Sequence, residues 1–539
     1  MIYWCESCGI PYHDHGAVGE YCPICSYQTF VISKDILVPV FLQEKRLLSY
    51  IINQDITKEN VWYKGNAYYV INGEAVRIPY VEYYKNKGYD SLDKEVRENI
   101  VLDDGIHNEE AFLKANEMYL TKIVYDAERY VEYIADELRN DHIPVVSYSG
   151  GKDSTVVSRI VMDALQRNDI IHFFGNTTLE LPATYNHCNN VFRRENKFTP
   201  LLETKSDKDF FKLCDYLGPP SRLERWCCTI FKTSNINYFI QALPKGYKFL
   251  SFMGIRKRES NNRKNYTQTQ YESKISNQVV AMPIIDWSDF DVWLYIRYKK
   301  LPFNDAYKLG YRRVGCWCCP NNSQWSELLT AIYYPELHAK WQRVLFDFAK
   351  KTNKADVDDY IHNNKWKARR GASGLENRNV NILNSECFLH KNTSNFILDK
   401  PIKTDFIELL KPFGKLKILN IGDNYTIEAI DGDKKSFKIN FKIGSKILKV
   451  GAYDGYDKVL LNLRLKCQIR KYQFCIHCSA CDALCPEMAI STLNGKYVID
   501  EEKCENCKTC ISKFYNGCLT TEVLSAKKTG GAKSEVQKF

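Results

Sequence analysis

The segment Ser147-Tyr-Ser-Gly-Gly-Lys-Asp-Ser154 constrains this chain more than any other. An apolar run, Ile143-Pro-Val-Val-Ser147, precedes it, and the helix-like stretch Thr155-Val-Val-Ser-Arg-Ile-Val-Met-Asp-Ala-Leu165 follows. A buried strand that turns on glycines into a helix brings backbone N–H groups and the positive helix end to one point, where a phosphate can sit. Ser147 opens the loop, Gly150 and Gly151 let the backbone approach an anion closely, Ser149 and Ser154 offer hydroxyls, and Lys152 adds a point charge. A glycine-rich surface turn is the plainer reading, and the strand and helix on the expected sides weigh against it. The Walker spacing Gly-x-x-x-x-Gly-Lys-Ser/Thr is absent.

At 539 residues the chain is too long for one core and predicts three or four domains. No run of 18 apolar residues occurs, so no membrane span is expected. Met1-Ile-Tyr-Trp-Cys-Glu-Ser-Cys8 has no basic region followed by an apolar one, and a cytoplasmic location is expected. The net charge of +10 suits nucleic acid or nucleotide partners and equally a solvated basic surface. Many of the 21 cysteines stand in Cys-x-x-Cys pairs, which in a reducing compartment read as metal ligands rather than disulfides.

Cys5, Cys8, Cys22 and Cys25 have the spacing of a structural Zn²⁺ ribbon over residues 1–30, in which the metal replaces a core the segment is too short to build. His13 and His15 between the pairs read as solvated loop residues. Residues 31–105 read as a small α+β adaptor with a helix from Gln43 to Asn53 and hairpin turns at Lys64–Asn66 and Asn72-Gly73. Helical spacing of apolar residues over 107–139 leads into the loop strand. After the loop helix, Asp169-Ile-Ile-His-Phe-Phe-Gly175 is a second buried strand. Strand, helix, strand predicts an α/β, doubly wound parallel sheet, with ligands beyond the carboxyl ends of its strands and Asn176 to Glu180 beside them.

The Ser-Gly-Gly-Lys-Asp-Ser loop resembles that of the PP-loop ATP pyrophosphatases, and three further stretches resemble their phosphoadenosine phosphosulfate (PAPS) reductase branch. These are Arg225-Trp-Cys-Cys-Thr-Ile-Phe-Lys232, Gly254-Ile-Arg-Lys-Arg-Glu-Ser-Asn-Asn-Arg263, and Pro283 to Trp293 followed by Asn304, Tyr307, Gly310, Arg312 and Gly315-Cys-Trp-Cys-Cys-Pro320. The resemblance covers roughly residues 140 to 345. It implies that Lys152, Lys232, Arg256 and Arg263 hold nucleotide phosphate or sulfate, that Glu259 orients an arginine, and that Asp153 positions Mg²⁺. It also implies a [4Fe–4S] cluster on Cys227, Cys228, Cys316 and Cys319, with Cys318 as an extra thiol; zinc and buried structural cysteines remain open. Sulfonucleotide reductases carry a Glu-Cys-Gly-Leu/Ile-His tail whose Cys attacks sulfur; here Glu386-Cys387-Phe-Leu-His390 has Phe388 in place of Gly, leaving Cys387 either nucleophile or coincidence. The intact loop favours ATP over PAPS or adenosine phosphosulfate (APS) as substrate.

Residues 395–470 read as a small all-β module with Lys and aromatics interleaved, for example Lys434, Phe437, Lys438, Phe441 and Lys442, which suits either the wet face of a sheet or nucleic-acid contact. The run Cys475-x2-Cys478-x2-Cys481-x3-Cys485-Pro486 with Cys504, Cys507, Cys510 and Cys518 is the two-cluster ferredoxin pattern, in which the fourth Cys of each run serves the other cluster. Cys475, Cys478, Cys481 and Cys518 are expected to hold one [4Fe–4S] cluster and Cys485, Cys504, Cys507 and Cys510 the other, although the seven-residue gap before Cys518 departs from the usual three; zinc knuckles are the alternative. The resulting layout is 1–30 zinc ribbon, 31–105 adaptor, 106–375 catalytic domain, 376–470 linker and β module, 471–525 ferredoxin-type domain and 526–539 disordered tail.

The expected function is ATP-dependent sulfur transfer, in which an acceptor, DNA or tRNA by analogy with phosphorothioation and thiolation relatives, is adenylylated and receives sulfur from a donor protein or sulfide. Two alternatives stand beside it. One is a PAPS or APS reductase releasing sulfite, and the other is a non-catalytic, nucleotide-sensing iron–sulfur partner of a larger defence or modification complex.

Overall fold

The computed structural model describes residues 1–13, 20–80, 82–83, 94–236, 239–240, 246–271, 275–369, 382–386, 393–514 and 516–525. The chain divides into two units, of which the first comprises Met1–Lys205, Leu243–Ser273 and Asn277–Trp341. Strands β1 (Ile2–Cys5), β2 (Ile10–His13) and β3 (Phe30–Ser33) form an antiparallel sheet in the order β2-β1-β3. His13 therefore ends a strand rather than lying in a loop, and its ring stacks on Tyr119 with centroids 3.9 Å apart. His15 lies outside the described residues. Strands β4 (Val38–Pro39), β5 (Val61–Gly65), β6 (Tyr68–Ile71) and β7 (Glu74–Arg77) form a second antiparallel sheet, turned at Asn66-Ala67 and Asn72-Gly73. All four turn residues have positive φ, the backbone that tight hairpins require.

The central sheet contains β8 (His142–Ser147), β9 (Ile171–Asn176), β10 (Leu201–Lys205), β11 (Lys248–Met253), β12 (Thr269–Gln270) and β13 (Gln278–Ala281) in the order β10-β9-β8-β11-β13-β12. Five of the strands are parallel and β12 closes one edge antiparallel, so the sheet is mixed rather than wholly parallel. Val145 and Val146, on opposite faces of β8, are both fully buried, as a central parallel strand covered by helices demands. From β8 the chain winds outward through β9 to β10, then crosses back to β11 and β13, so its direction reverses between β8 and β11. Such a switch point leaves a crevice beyond the strand ends. The helices Glu109–Glu137, Lys152–Leu165 and Asp289–Tyr298 pack on one another, burying Phe112, Val131, Val157, Ile160 and Phe290.

The second unit comprises Ser206–Ala242, Lys274–Ser276 and Gln342–Phe539. Its sheet of β14 (Leu383–Glu386), β15 (Ser394–Ile397), β16 (Lys415–Ile421), β17 (Asn424–Ile430), β18 (Ser436–Lys442) and β19 (Ile447–Asp454) is antiparallel, in the order β14-β15-β19-β18-β17-β16. Along β18, Phe437, Ile439 and Phe441 are buried while Lys438 and Lys442 are exposed, so the Lys–aromatic alternation is that of a half-buried strand. The module is not all-β, because Thr404–Phe413 is a 3₁₀ helix and Lys458–Phe474 an α-helix. Leu461, Leu465 and Ile469 recur every four residues and are buried, a period that places one helical stripe on the core. A short pair, β20 (Ile490–Ser491) and β21 (Val498–Ile499), follows. Residues 526–539 lie outside the described residues, as does the Cys387 segment.

Gly254, just past β11, fixes the spacing of strand and loop helix. A Cβ there would lie 2.7 Å from the carbonyl carbon of Asp153 and 2.9 Å from the Ser154 nitrogen, both backbone atoms that have no room to give. Gly254→Ala is expected to cost about 1–3 kcal/mol, read as an earlier denaturant midpoint; an unchanged midpoint would mean that the loop helix is free to shift.

Candidate active site

The glycine loop emerges from β8 at the switch point. Gly150 has φ +69, and a Cβ on it would press within 2.8 Å of the Cys188 sulfur, so only glycine passes here without strain. The Ser154 hydroxyl accepts from the Ser149 N–H at 3.1 Å and donates to the Gly151 carbonyl at 2.9 Å, which locks the turn. Buried Tyr307 accepts the Lys152 N–H at 2.9 Å, and buried Asn304 donates to the Gly150 carbonyl at 3.1 Å. The N–H groups of Gly150, Gly151 and Asp153 have no partner among the described residues. Unbonded N–H groups at a helix N-terminus are anion ligands in waiting.

Four charges surround the loop. Lys152 Nζ lies 3.0 Å from Asp153 and 3.2 Å from Asp289, and Arg256 lies 2.6 Å from Asp153 and 2.9 Å from Asp289. Lys152 and Arg256 are 4% and 2% exposed, so two cations are held in the interior by two carboxylates. Burial works against the charged form of each; it is outweighed, and Lys152 and Arg256 stay protonated while Asp153 is held below the ordinary carboxylate value. Burial likewise opposes ionisation of Asp289, yet Lys152 and Arg256 hold its pKa down to about 2. Both oxygens of Asp153 are taken by cations, which makes it a positioning carboxylate in this state. Asp289 was not among the residues singled out from sequence. In the sequence it lies unremarked within the Pro283 to Trp293 stretch, where the Ser288-Asp-Phe-Asp291 capping box marks a helix start and says nothing of a pairing with Lys152.

Arg263 pairs with Glu259, whose carboxylate also accepts the Arg256 N–H at 3.3 Å. Burial and then the neighbouring Arg313 lower the Arg263 pKa, the mark of a cation-rich rim. Asn176 and Glu180 brace the β9 loop. Asn176 bonds Glu203 at 2.6 Å and accepts the Thr178 N–H at 2.7 Å; Glu180 accepts from the Thr177 hydroxyl at 2.6 Å and from Tyr185 at 3.1 Å. Thr178 has φ +65, unusual for a β-branched residue, so this loop carries backbone strain at the crevice. Against it lies the Cys316 segment, with Cys316 Sγ 3.4 Å from the Thr177 hydroxyl and the Trp317 N–H on the Leu179 carbonyl at 2.9 Å. Cys316, buried Cys318 and Cys319 belong to the first unit, whereas Cys227, Cys228 and exposed Lys232 belong to the second.

The sulfurs of Cys5, Cys8, Cys22 and Cys25 all lie within 4.8 Å of one another, a spacing that fits one tetrahedral ion with metal–sulfur distances near 2.3 Å. In the second unit, Cys475, Cys478, Cys481 and Cys518 line one small cavity, and Cys485, Cys504, Cys507 and Cys510 line another. Each quartet draws its fourth thiol from the other run. The long gap before Cys518 is taken up by the short helix Thr509–Ser512 and by Gly517 at φ +104, where a Cβ would strike the Cys467 carbonyl at 2.3 Å.

A carboxylate held below its unfolded value of about 3.9 stabilises the fold above that pH and loses the contribution as pH falls toward the folded value, here about 2. Asp153 acts with the same sign. Stability is therefore expected to fall between about pH 5 and 2, with on the order of 2 kcal/mol of the loss belonging to Asp289. Asp289→Asn should flatten that limb and weaken the protein at pH 7; denaturant unfolding across pH measures both, and an identical limb in the variant would refute the pairing.

Residues 143–322 match the phosphoadenosine phosphosulfate reductase domain. An uncharacterised protein of Methanocaldococcus jannaschii is 33% identical over 251 residues, covering 46% of this chain and 50% of that protein. The adenosine 5'-phosphosulfate reductase of Neisseria meningitidis serogroup B is 34% identical over 95 residues, covering 18% of this chain and 36% of that enzyme. This chain thus spans about half the length of the first relative and about a third of the second. A crystal structure of the Candida auris PAPS reductase in its phosphate complex aligns at 16% identity and TM-score 0.28, over 35% of this chain and 89% of that one. The segment from residue 143 to 322, which carries the loop, the charge cluster and the switch point, is thus similar to the phosphoadenosine phosphosulfate reductase domain.

Proposed function

We propose that this chain is a cytoplasmic enzyme that cleaves ATP between its α and β phosphates at the glycine loop and transfers sulfur to the acceptor it has adenylylated. The observation that carries the reading is the intact loop, with its unbonded Gly150, Gly151 and Asp153 N–H groups set against buried Lys152 and Arg256. The acceptor oxygen attacks the α-phosphorus, the bond to the bridging oxygen of the β-phosphate breaks, and pyrophosphate leaves; Mg²⁺ on the phosphates would supply charge neutralisation there. Loop amides and Lys152 take up the charge that develops on the leaving group. Sulfide, or the outer sulfur of a donor protein's persulfide together with two electrons from an external reductant that release the donor thiolate, then displaces AMP. DNA or tRNA is the proposed acceptor class, in keeping with the net charge of +10.

The N-terminal quartet would hold zinc as a structural ion. The two quartets of the second unit would hold [4Fe–4S] clusters, whose chemistry is one-electron transfer. This chain's own part is to gather the thiols, of which Cys481, Cys485, Cys510 and Cys518 are buried and Cys507 is exposed. Anaerobically purified protein is expected to carry one zinc and at least about eight irons. Cys22→Ala should lose the zinc and keep the iron, and zinc retained in that variant would refute the ribbon.

A second reading is favoured by the likeness to named adenosine 5'-phosphosulfate reductases. In it the loop holds APS or PAPS and sulfite is released, with Cys387 as the nucleophile. Incubation with Mg·ATP, PAPS and APS separately, beside Lys152→Ala, decides between the two. Pyrophosphate from ATP that vanishes in the variant is the expected result. Sulfite without pyrophosphate would replace sulfur transfer by sulfonucleotide reduction, and nucleotide binding without turnover would leave a sensing role.

A further inference from the structure

The helix Lys458–Phe474 ends one residue before the first cysteine of the ferredoxin-type run, and Lys471, in its last turn, is fully buried. A buried ammonium normally finds a carboxylate. Here the Nζ donates to the main-chain carbonyl of Cys510 at 2.9 Å and stands 5.4 Å from the centre of the Tyr497 ring. No carboxylate forms an ion pair with it among the described residues. The same side chain lines the cavity of Cys475, Cys478, Cys481 and Cys518, while Cys510 belongs to the other quartet. One cation therefore sits between the two sets of thiols. The groups whose charges face it are Cys475, Cys481 and Cys518 from one set and Cys510 from the other, with Asp482 beyond. Asp482 is itself committed to Thr492, accepting its N–H at 2.9 Å and its hydroxyl at 3.1 Å.

We propose that Lys471 is the shared counter-charge of the two iron–sulfur sites and sets their reduction potentials. The inference rests on the cluster reading given above. Each cluster gains one negative charge when it takes up an electron. In a low-dielectric interior a fixed positive charge favours the more negative state, so Lys471 raises both potentials. It also couples the sites, since an electron on either cluster spends part of the same charge. Lys471 touches no substrate; it is a positioning residue for electron transfer within the second unit.

The test is an anaerobic redox titration followed by electron paramagnetic resonance, with iron counted per chain, on the full-length protein and its Lys471→Met, Lys471→Gln and Lys471→Arg variants. The neutral variants are expected to hold full iron and to be at least tenfold harder to reduce, a fall of 59 mV for one electron. Lys471→Arg should stay close to the parent. Full iron with unchanged potentials in both neutral variants would overturn the proposal. Loss of iron in both neutral variants with full loading of Lys471→Arg would support it, because charge and not shape then decides. Loss in all three would overturn it as a packing effect. Parent protein without iron would instead sink the cluster reading itself, an outcome distinct from every result on the variants.

Discussion

Everything at the crevice depends on two cations and two carboxylates that neutralise one another in the interior. Taken singly, none of Lys152, Asp153, Arg256 and Asp289 belongs where it is, since a lone buried charge costs several kcal/mol. Together they cancel, and the geometry that lets them cancel is the geometry of the site. Asp153 comes from the loop helix, Arg256 from the turn after β11, and Asp289 from the first turn of a helix beyond β13. The ion cluster thus ties the loop helix, the turn after β11 and the helix after β13 to the point where the winding reverses. On the proposed function, an incoming polyphosphate would meet Lys152 and Arg256 already in place and would offer them charge in exchange for the carboxylates, leaving little reorganisation on binding. Local strain fits the same account. Positive φ at Gly150 and Thr178 holds the loops on either side of the crevice in shapes that the chain would not take alone, and Tyr307, Asn304 and Glu180 secure them.

Much of this was legible in the sequence, and for a common reason. The loop, its strand and its helix are local, so periodicity and glycine placement suffice to find them. The thiol quartets were legible because ligand spacing is a chemical constraint that survives any fold, and the structure gathers Cys518 with Cys475, Cys478 and Cys481 in spite of its irregular gap. Asp289 stayed hidden because its sequence signal has a complete local explanation. A carboxylate at a helix start is accounted for by the cap and the dipole, and nothing in its neighbours points to a lysine well over a hundred residues earlier. The helix Lys458–Phe474 was missed for a different cause. Its stripe of Leu461, Leu465 and Ile469 is present, but it follows directly on strands, and the alternating pattern was carried too far. The grouping of 206–242 with the C-terminal part of the chain lay out of reach of any local pattern, because it rests on long-range contact alone.

The second unit turns a chemical pattern into a folding constraint. Cys485 leaves its own run to join Cys504, Cys507 and Cys510, and Cys518 does the reverse. Neither run can complete a quartet by itself. If each cavity takes up its cluster, the binding free energy is gained only when both runs have folded onto the helix Lys458–Phe474, so that metal loading and folding become one event. The buried ammonium of Lys471 follows from that coupling. Before the thiols ionise it is an uncompensated charge in a dry interior, which disfavours the empty fold; once they ionise and bind, its cost is offset by thiolates of both quartets. A residue that destabilises the unloaded state and stabilises the loaded one sharpens the difference between them, and its charge is felt wherever an electron arrives.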